Sequence, residues 1–345
     1  MRLQRRYVRC VVCGDGHFPA DQRLGLDGHL SRRAQRLVCL GGASWSFDRT
    51  AQYLQELCGL RVSDATVRQV CQVHGDLVRR WQQESPAAGE VFRQAQGEVE
   101  LSTDGTSVNT TSRWREMRLS VFAKRERGKP QSVARWEERD LPKPTARVAM
   151  AGLVRAETLG AQWRRAASRL GLSQTAEVTV LADGARWIWK QVERHLPDAH
   201  GILDIYHASQ HLYQTAGVLY GEGTAATKRW VHVRRGQLLR GGTLALFKAL
   251  AEDRQQTRSP RKRASLNALT EYLRPHAAHT GYRERLRQGQ TIGSGLVESA
   301  CKTIVGRRLK QTGARWRVRR VERMATLCCL LYSDQWNTYW AAKAA

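Results

Sequence analysis

Hydrophobic positions along this chain change period more than once. Through 44–80 they recur three and four residues apart: Ala51, Leu54 and Leu57, then, beyond Gly59, Val67, Val70, Val73 and Leu77. That spacing predicts two helices joined by a short turn, with Ser46 and Ser63 as N-caps and Leu60 and Val62 filling the turn. Between 98 and 139 the period falls to two. Val99 and Leu101 lead into Asp104-Gly105-Thr106, and Met117, Leu119, Val121 and Ala123 alternate with Arg118, Ser120, Phe122 and Lys124. These predict two strands, and a third over 132–139 after the Gly128-Lys129-Pro130 turn. A helix follows over 157–170. Val178, Val180 and Leu181 then make a short β-branched run ending at Asp183-Gly184, a helix over 186–196 stops at Pro197, and a last apolar run over 201–205 carries Asp204.

Strand, crossover helix, strand predicts two parallel neighbours, with Asp183 at a carboxyl end, where open α/β sheets gather ligands. Asp-Gly by itself is ordinary turn chemistry, so the order of elements has to decide. Three strands in a meander, a helix, a strand, a helix and a strand is the order of the ribonuclease H-like fold. In that topology the first and fourth strands are neighbours, so Asp104 and Asp183 should converge. The region 214–288 has no strand pattern and is basic, with Arg234-Arg235 and Arg261-Lys262-Arg263 among its clusters. It reads as an α-helical insertion. Gly293-Ser294-Gly295 then opens a helix over 296–310 with Ser294 as N-cap and Glu298 in its first turn, where the helix dipole favours an anion. Glu298 and Lys302 stand four apart, the spacing of a surface ion pair. A final helix over 321–336 reads as core closure.

Charge changes the picture. Among 345 residues, 57 are Lys or Arg and 31 are Asp or Glu, a formal +26. An excess of that size fits a polyphosphate partner, held through counterion release. Arg68, Gln69, Gln72 and His74 fall on the outward side of the second predicted helix, which makes the pair a helix-turn-helix able to read base edges and phosphates. Arg307, Arg308, Lys310, Arg315 and Trp316 interleave cations with an aromatic ring and are expected on the same partner. No apolar run approaches the ~20 residues that a bilayer requires. The eight cysteines follow no disulfide-framework spacing, so a reducing cytoplasm is expected, without membrane attachment. Cys10 and Cys13 form one zinc-knuckle pair, half of a tetrahedral site that needs four ligands.

Three motifs, STDGTSV, LADGARWIW with LDIYHASQHL, and GSGLVESACKTIVGRRLKQTGARW, resemble the DDE transposases of bacterial insertion sequences of the ISKra type, within the wider Mutator-like superfamily. The resemblance runs from about Arg5 to Trp340. It implies a ribonuclease H-like domain interrupted by a helical insertion, with Mg²⁺ or Mn²⁺ as cofactor, as two ions. Asp104, Asp183 and Glu298 match the three acids and would ligate the metal. Asp204 and His207 match the Asp/Cys-x-x-His element, with His207 a catalytic contact to the scissile phosphate and Asp204 and Lys302 auxiliary. The implied partners are double-stranded DNA, as terminal inverted repeats and target, and further copies of the same chain on that DNA, in a bacterial cytoplasm at the nucleoid. Relatives usually carry another Cys-x-x-Cys before the Arg5-Arg6-Tyr7 run, so an N-terminal truncation is expected, with zinc binding incomplete.

The expected organisation is a zinc-ribbon-like segment over 1–27, a helix-turn-helix region over 28–95, the catalytic core over 96–213, the insertion over 214–288, and over 289–345 the Glu298 helix with C-terminal helices completing the core. Two alternatives stand beside this reading. One is a non-catalytic DNA-binding regulator or inactive remnant. The other is a zinc hydrolase built on His207 and His211, although Ala208 stands where that motif carries a glutamate.

Overall fold

The computed structural model describes residues 5–24, 26–27, 29–172 and 177–343. The chain forms two compact units: Met1–Ala88 with Asn109–Arg113 and Ile304–Ala345, and Gly89–Val108 with Trp114–Thr303. No helix among the described residues is long and apolar enough to cross a membrane.

The second unit is built on a five-stranded sheet. Its strands are β1 (Glu98–Asn109), β2 (Trp114–Arg125), β3 (Ala146–Gly152), β4 (Val178–Ala182) and β5 (His200–Leu203), in the spatial order β3-β2-β1-β4-β5. β2 and β3 pair antiparallel, whereas β1, β4 and β5 run parallel. This is the mixed sheet of the ribonuclease H-like fold, as the order of elements predicted. All of β4 is buried, so a continuous apolar run serves it better than alternation. Val178, Val180 and Ala182 join Leu101, Leu159, Trp163 and Ile188 in one core. Leu181, Ile202 and Leu203 join Leu212, Leu238 and Leu269 in another. Helices Ala156–Arg169 and Arg186–His195 supply the first core; Ile205–Tyr220, Ala225–Gln256 and Pro260–Leu273 supply the second.

The third strand lies elsewhere than expected. Residues Val133–Glu138 form a 3₁₀ segment, and β3 comes later, at Ala146–Gly152. Trp136 is buried there between the guanidinium groups of Arg139 and Arg235, at 5.1 and 4.9 Å from its ring. β3 is rich in alanine, a weak strand former, and owes its conformation to a ladder with β2 from Lys124↔Ala146 to Arg118↔Gly152. Between 214 and 288 every regular element among the described residues is helical, as expected of the insertion. Not all its arginines are solvated, since Arg234 forks onto Asp253 beneath Trp230.

In the first unit, helices Phe47–Cys58 and Asp64–Glu84 form where the spacing placed them, and Ser63 Oγ accepts from Thr66 N at 3.1 Å. The buried stripe is rotated from the expected one. Val67, Cys71, His74, Gly75 and Val78 face inward, while Val73 and Leu57 are exposed. Helix Val318–Tyr332 packs on this face. A Cβ on Gly75 would lie 2.6 Å from the Arg323 carbonyl oxygen, so the two backbones approach more closely than any other residue allows. His74 bridges Gln35 at 2.7 Å and the Tyr339 hydroxyl at 2.8 Å. The C-terminal helices were expected to complete the catalytic core; from Ile304 onward they belong to this helical unit instead.

Candidate active site

Register brings the acids together. Ser102 pairs with Leu181 across β1 and β4, and Ala182 with Leu203 across β4 and β5. One and two residues further, Asp104, Asp183 and Asp204 therefore lie level, Asp183 and Asp204 just past the ends of β4 and β5 and Asp104 within β1, which runs on to Asn109. Alternation puts Glu100, Ser102 and Asp104 on one face of β1, and Leu181 and Asp183 on the same face of β4. Asp104 and Asp183 are half-buried. Glu298 reaches them from helix Gly295–Ala300, which packs on β2.

Electrostatics reports the same meeting point. The Asp104 carboxyl is raised above its ordinary value, first by burial and further by the negative charges of Asp183 and Glu298; the Gly105 N–H and His207 oppose the rise. Carboxylates crowded this way repel one another, and a divalent cation between them would relieve the cost. The donors are hard oxygens, which suit Mg²⁺ or Mn²⁺. Each aspartate is also oriented by backbone. Asp104 Oδ1 accepts from Gly105 N at 2.6 Å, and Asp183 Oδ1 accepts from Ala185 N at 2.9 Å.

Asp204 differs. It is fully buried and caps helix Ile205–Tyr220. Its Oδ1 accepts from Tyr206 N at 2.6 Å and His207 N at 3.4 Å, and its Oδ2 accepts from the N–H (2.7 Å) and hydroxyl of Ser294. Asp204, His207 and Glu298 nonetheless present ligand atoms within 4.8 Å of one another, the one group of three His, Cys, Asp or Glu side chains among the described residues with metal-holding geometry.

The insertion contributes a wall that the sequence did not announce. Tyr272 stacks on His211 with ring centroids 3.7 Å apart, and a Cβ on Gly184 would fall 2.3 Å from the Tyr272 ring. Glycine after Asp183 is thus required by close approach as well as by the turn. Burial raises the Tyr272 hydroxyl, with the charges of Asp183 and Asp204 adding to the rise, and burial together with His207 lowers His211. Trp189 donates Nε1–H to the Asp183 carbonyl at 2.8 Å and stacks on His279, whose burial brings it down to about 4. The meeting of Tyr272 with Gly184 spans 88 residues of chain, and no local pattern encodes it.

No family model matches this chain, and no curated protein does. Among solved structures it is similar to the Drosophila P element transposase strand transfer complex at 10% identity, over 88% of this chain and 92% of that one, with a TM-score of 0.40. So loose a superposition adds nothing to the strand order and the row of acids, which stand by themselves.

The other expected residues scatter. Lys302 is exposed, and among the described residues no ion pair joins it to Glu298. The helix carrying Glu298 is shorter than expected, passing at Cys301 into a wider π turn through Gly306. Four of the expected DNA-reading side chains are corrected by burial. Arg308 lies between the rings of Phe47 and Trp316, at 4.7 and 5.0 Å, and donates Nε–H to the Gly42 carbonyl at 2.6 Å. Trp316 is buried, with its Nε1–H on the Leu309 carbonyl. Gln72 is buried and donates to the Arg320 carbonyl at 3.2 Å, and His74 is interior as described above. Arg307, Lys310 and Arg315 are exposed and Arg68 is half-buried. Cys10 and Cys13 sit at the exposed turn of a two-stranded ribbon, Val8–Arg9 with Gly16–His17. Backbone N–H groups of Cys13 and Val12, then the Cys13 side chain, lower the Cys10 thiol. Among the described residues no third ligand completes a set with them.

Proposed function

We propose that this protein is a transposase that cleaves and transfers DNA strands at the ends of an insertion sequence with the help of divalent cations. One observation carries the reading: Asp104, Asp183 and Glu298, far apart in sequence, share one electrostatic neighbourhood at the carboxyl end of a ribonuclease H-like sheet. Mg²⁺ or Mn²⁺ held there would polarise a phosphoryl oxygen and ease deprotonation of the attacking hydroxyl. Asp104 and Asp183, one on each of two adjacent strands, and Glu298 on its helix would hold the ions, with backbone N–H bonds fixing both aspartates before the ions arrive. His207, in the first turn of helix Ile205–Tyr220, would contact the scissile phosphate. Tyr272, stacked on His211, would limit how the substrate approaches the Asp183 turn. Exposed Arg307, Lys310 and Arg315, with the chain's +26 charge, would grip DNA backbone.

The test pairs cleavage with binding. The wild-type chain should nick duplex DNA in Mg²⁺ or Mn²⁺ and not in EDTA or Zn²⁺ alone. Asp183→Asn should lower cleavage by about a thousandfold or more, as loss of a ligand to a charge-stabilising ion does, while gel-shift affinity stays within about threefold. Cleavage that survives the substitution would end the reading.

A further inference from the structure

Three carboxylates of the second unit stand level, one within β1 and two just past the ends of β4 and β5, yet one of them is used up. A carboxylate offers about four lone-pair directions, and Asp204 has a donor on each: Tyr206 N and His207 N on Oδ1, Ser294 N and Ser294 Oγ on Oδ2. It is fully buried, so water does not compete for these bonds. Its main chain is equally tied. Asp204 N donates to the Ala182 carbonyl at 2.8 Å, the last residue of β4, and Ile205 N donates to the Ile292 carbonyl at 3.1 Å. Ser294 is the N-cap of the Glu298 helix, yet its hydroxyl makes no capping bond there, because it is turned to Asp204. Val297 N and Glu298 N both reach back to the Ser294 carbonyl, at 3.0 and 3.4 Å. Whatever holds Ser294 therefore holds the first turn that aims Glu298.

We propose that Asp204 is a positioning residue: its carboxylate locks the Ser294 turn, and with it Glu298, to the ends of β4 and β5, and it does not ligate the divalent ion. The metal-holding set is then Asp104, Asp183 and Glu298, and the closeness of Asp204 and His207 to Glu298 is the imprint of the clamp. Asp204→Asn keeps the shape but turns one oxygen into a donor facing donors, so the clamp opens. This inference rests on the catalytic reading above, and its test is arranged to separate the two.

Mn²⁺ affinity by electron paramagnetic resonance, amide hydrogen exchange and DNA cleavage are compared across full-length Asp204→Asn, Ser294→Ala, Asp204→Cys and Asp183→Asn. For Asp204→Asn, cleavage should fall roughly 10- to 100-fold, the loss expected when a charged hydrogen-bond partner is removed. Its Mn²⁺ affinity should weaken by clearly less than that of Asp183→Asn, because Glu298 is loosened while no ligand is lost. Amide exchange at Ser294, Val297 and Glu298 should quicken in Asp204→Asn and in the milder Ser294→Ala. Combining those two should add little, as for two halves of one contact. Asp204→Cys should gain nothing from Cd²⁺. Mn²⁺ weakening equal to that of Asp183→Asn, Cd²⁺ rescue of Asp204→Cys, or unchanged exchange at the Ser294 turn would each overturn the clamp. If Asp183→Asn cleaves normally, the catalytic reading fails, but the Mn²⁺ and exchange results still judge the clamp.

Discussion

The sheet end of the second unit and the paired helices of the first unit place their charged groups by different rules. At the sheet end, position follows from register and parity. Ser102↔Leu181 and Ala182↔Leu203 are enough to bring Asp104, Asp183 and Asp204 level. In helix Asp64–Glu84, position follows from phase, and an error of one residue turns a side chain by about 100°. Gln72 and His74 thereby pass from the solvent face to the interior, and Val73 passes the other way. Acids at strand ends can be located from a sequence; the reading face of a helix much less so.

The contrast is sharpest in the arginine-rich stretch after Glu298, where neighbouring cations should behave oppositely. Arg308 is buried between two rings with its Nε on a carbonyl, and part of its guanidinium has no partner. Burial also holds its ionisation below the ordinary arginine value. Arg308→Ala should destabilise the protein by about 3 kcal/mol, through a cavity between rings and an orphaned carbonyl. Its effect on DNA binding should follow only from unfolding. Arg307→Ala and Arg315→Ala, at exposed positions, should leave the melting temperature nearly unchanged. Each should weaken DNA binding and reduce the salt slope of log K by about 1. Chemical denaturation and salt-titrated gel shifts read the two patterns. An Arg308→Ala protein of wild-type stability with weakened DNA binding would return that residue to the DNA.

A smaller effect separates the readings of Gln72. As a base reader, its loss would change sequence preference; as a buried donor to the Arg320 carbonyl, its loss costs stability. Gln72→Ala should lower stability by about 1 kcal/mol, the worth of one such bond with some packing, and leave the preferred DNA sequence unaltered. Binding-site selection on wild type and variant decides between them.

Much of the sheet and its row of acids was legible because it is written locally. β4 shows as Val178, Val180 and Leu181, and an acid followed by glycine marks its end. What was missed depends on partners far away in sequence. β3 is strand only because β2 pairs with it, since Ala146, Ala149 and Ala151 carry little strand preference. Asp204 looks like one more active-site acid until Ser294, 90 residues later, is seen to take half its carboxylate. The sequence likewise carries no hint that Tyr272 fills the space a Cβ on Gly184 would need. The assignment of the C-terminal helices to the first unit and not to the sheet-bearing one has the same origin. Their apolar stripe says that they pack, not against what.

The gentlest test concerns the cost of crowding acids at the sheet end. Asp104 ionises less readily in the folded protein than an ordinary aspartate, through burial and the neighbouring Asp183 and Glu298 charges. The folded state therefore keeps its proton to a higher pH than the unfolded chain does. As pH rises from the ordinary aspartate range through the raised folded value, the unfolded state has already lost that proton, and stability declines until the folded group ionises too. Above that point the penalty is constant and fully present; below the ordinary value it is absent. In EDTA at pH 7, Asp104→Asn should melt above wild type by a few degrees, on the order of what about 1 kcal/mol produces in a protein of this size. The gap should close toward pH 4. Mg²⁺ should raise the melting temperature of wild type at pH 7 more than at pH 5, and should do little for the variant. Asparagine keeps an oxygen for the Gly105 N–H, so the comparison isolates charge rather than the turn. A variant that melts below wild type in EDTA at pH 7 would mean that Asp104 is held by a partner it needs, and that the acids at this sheet end are not waiting for a cation.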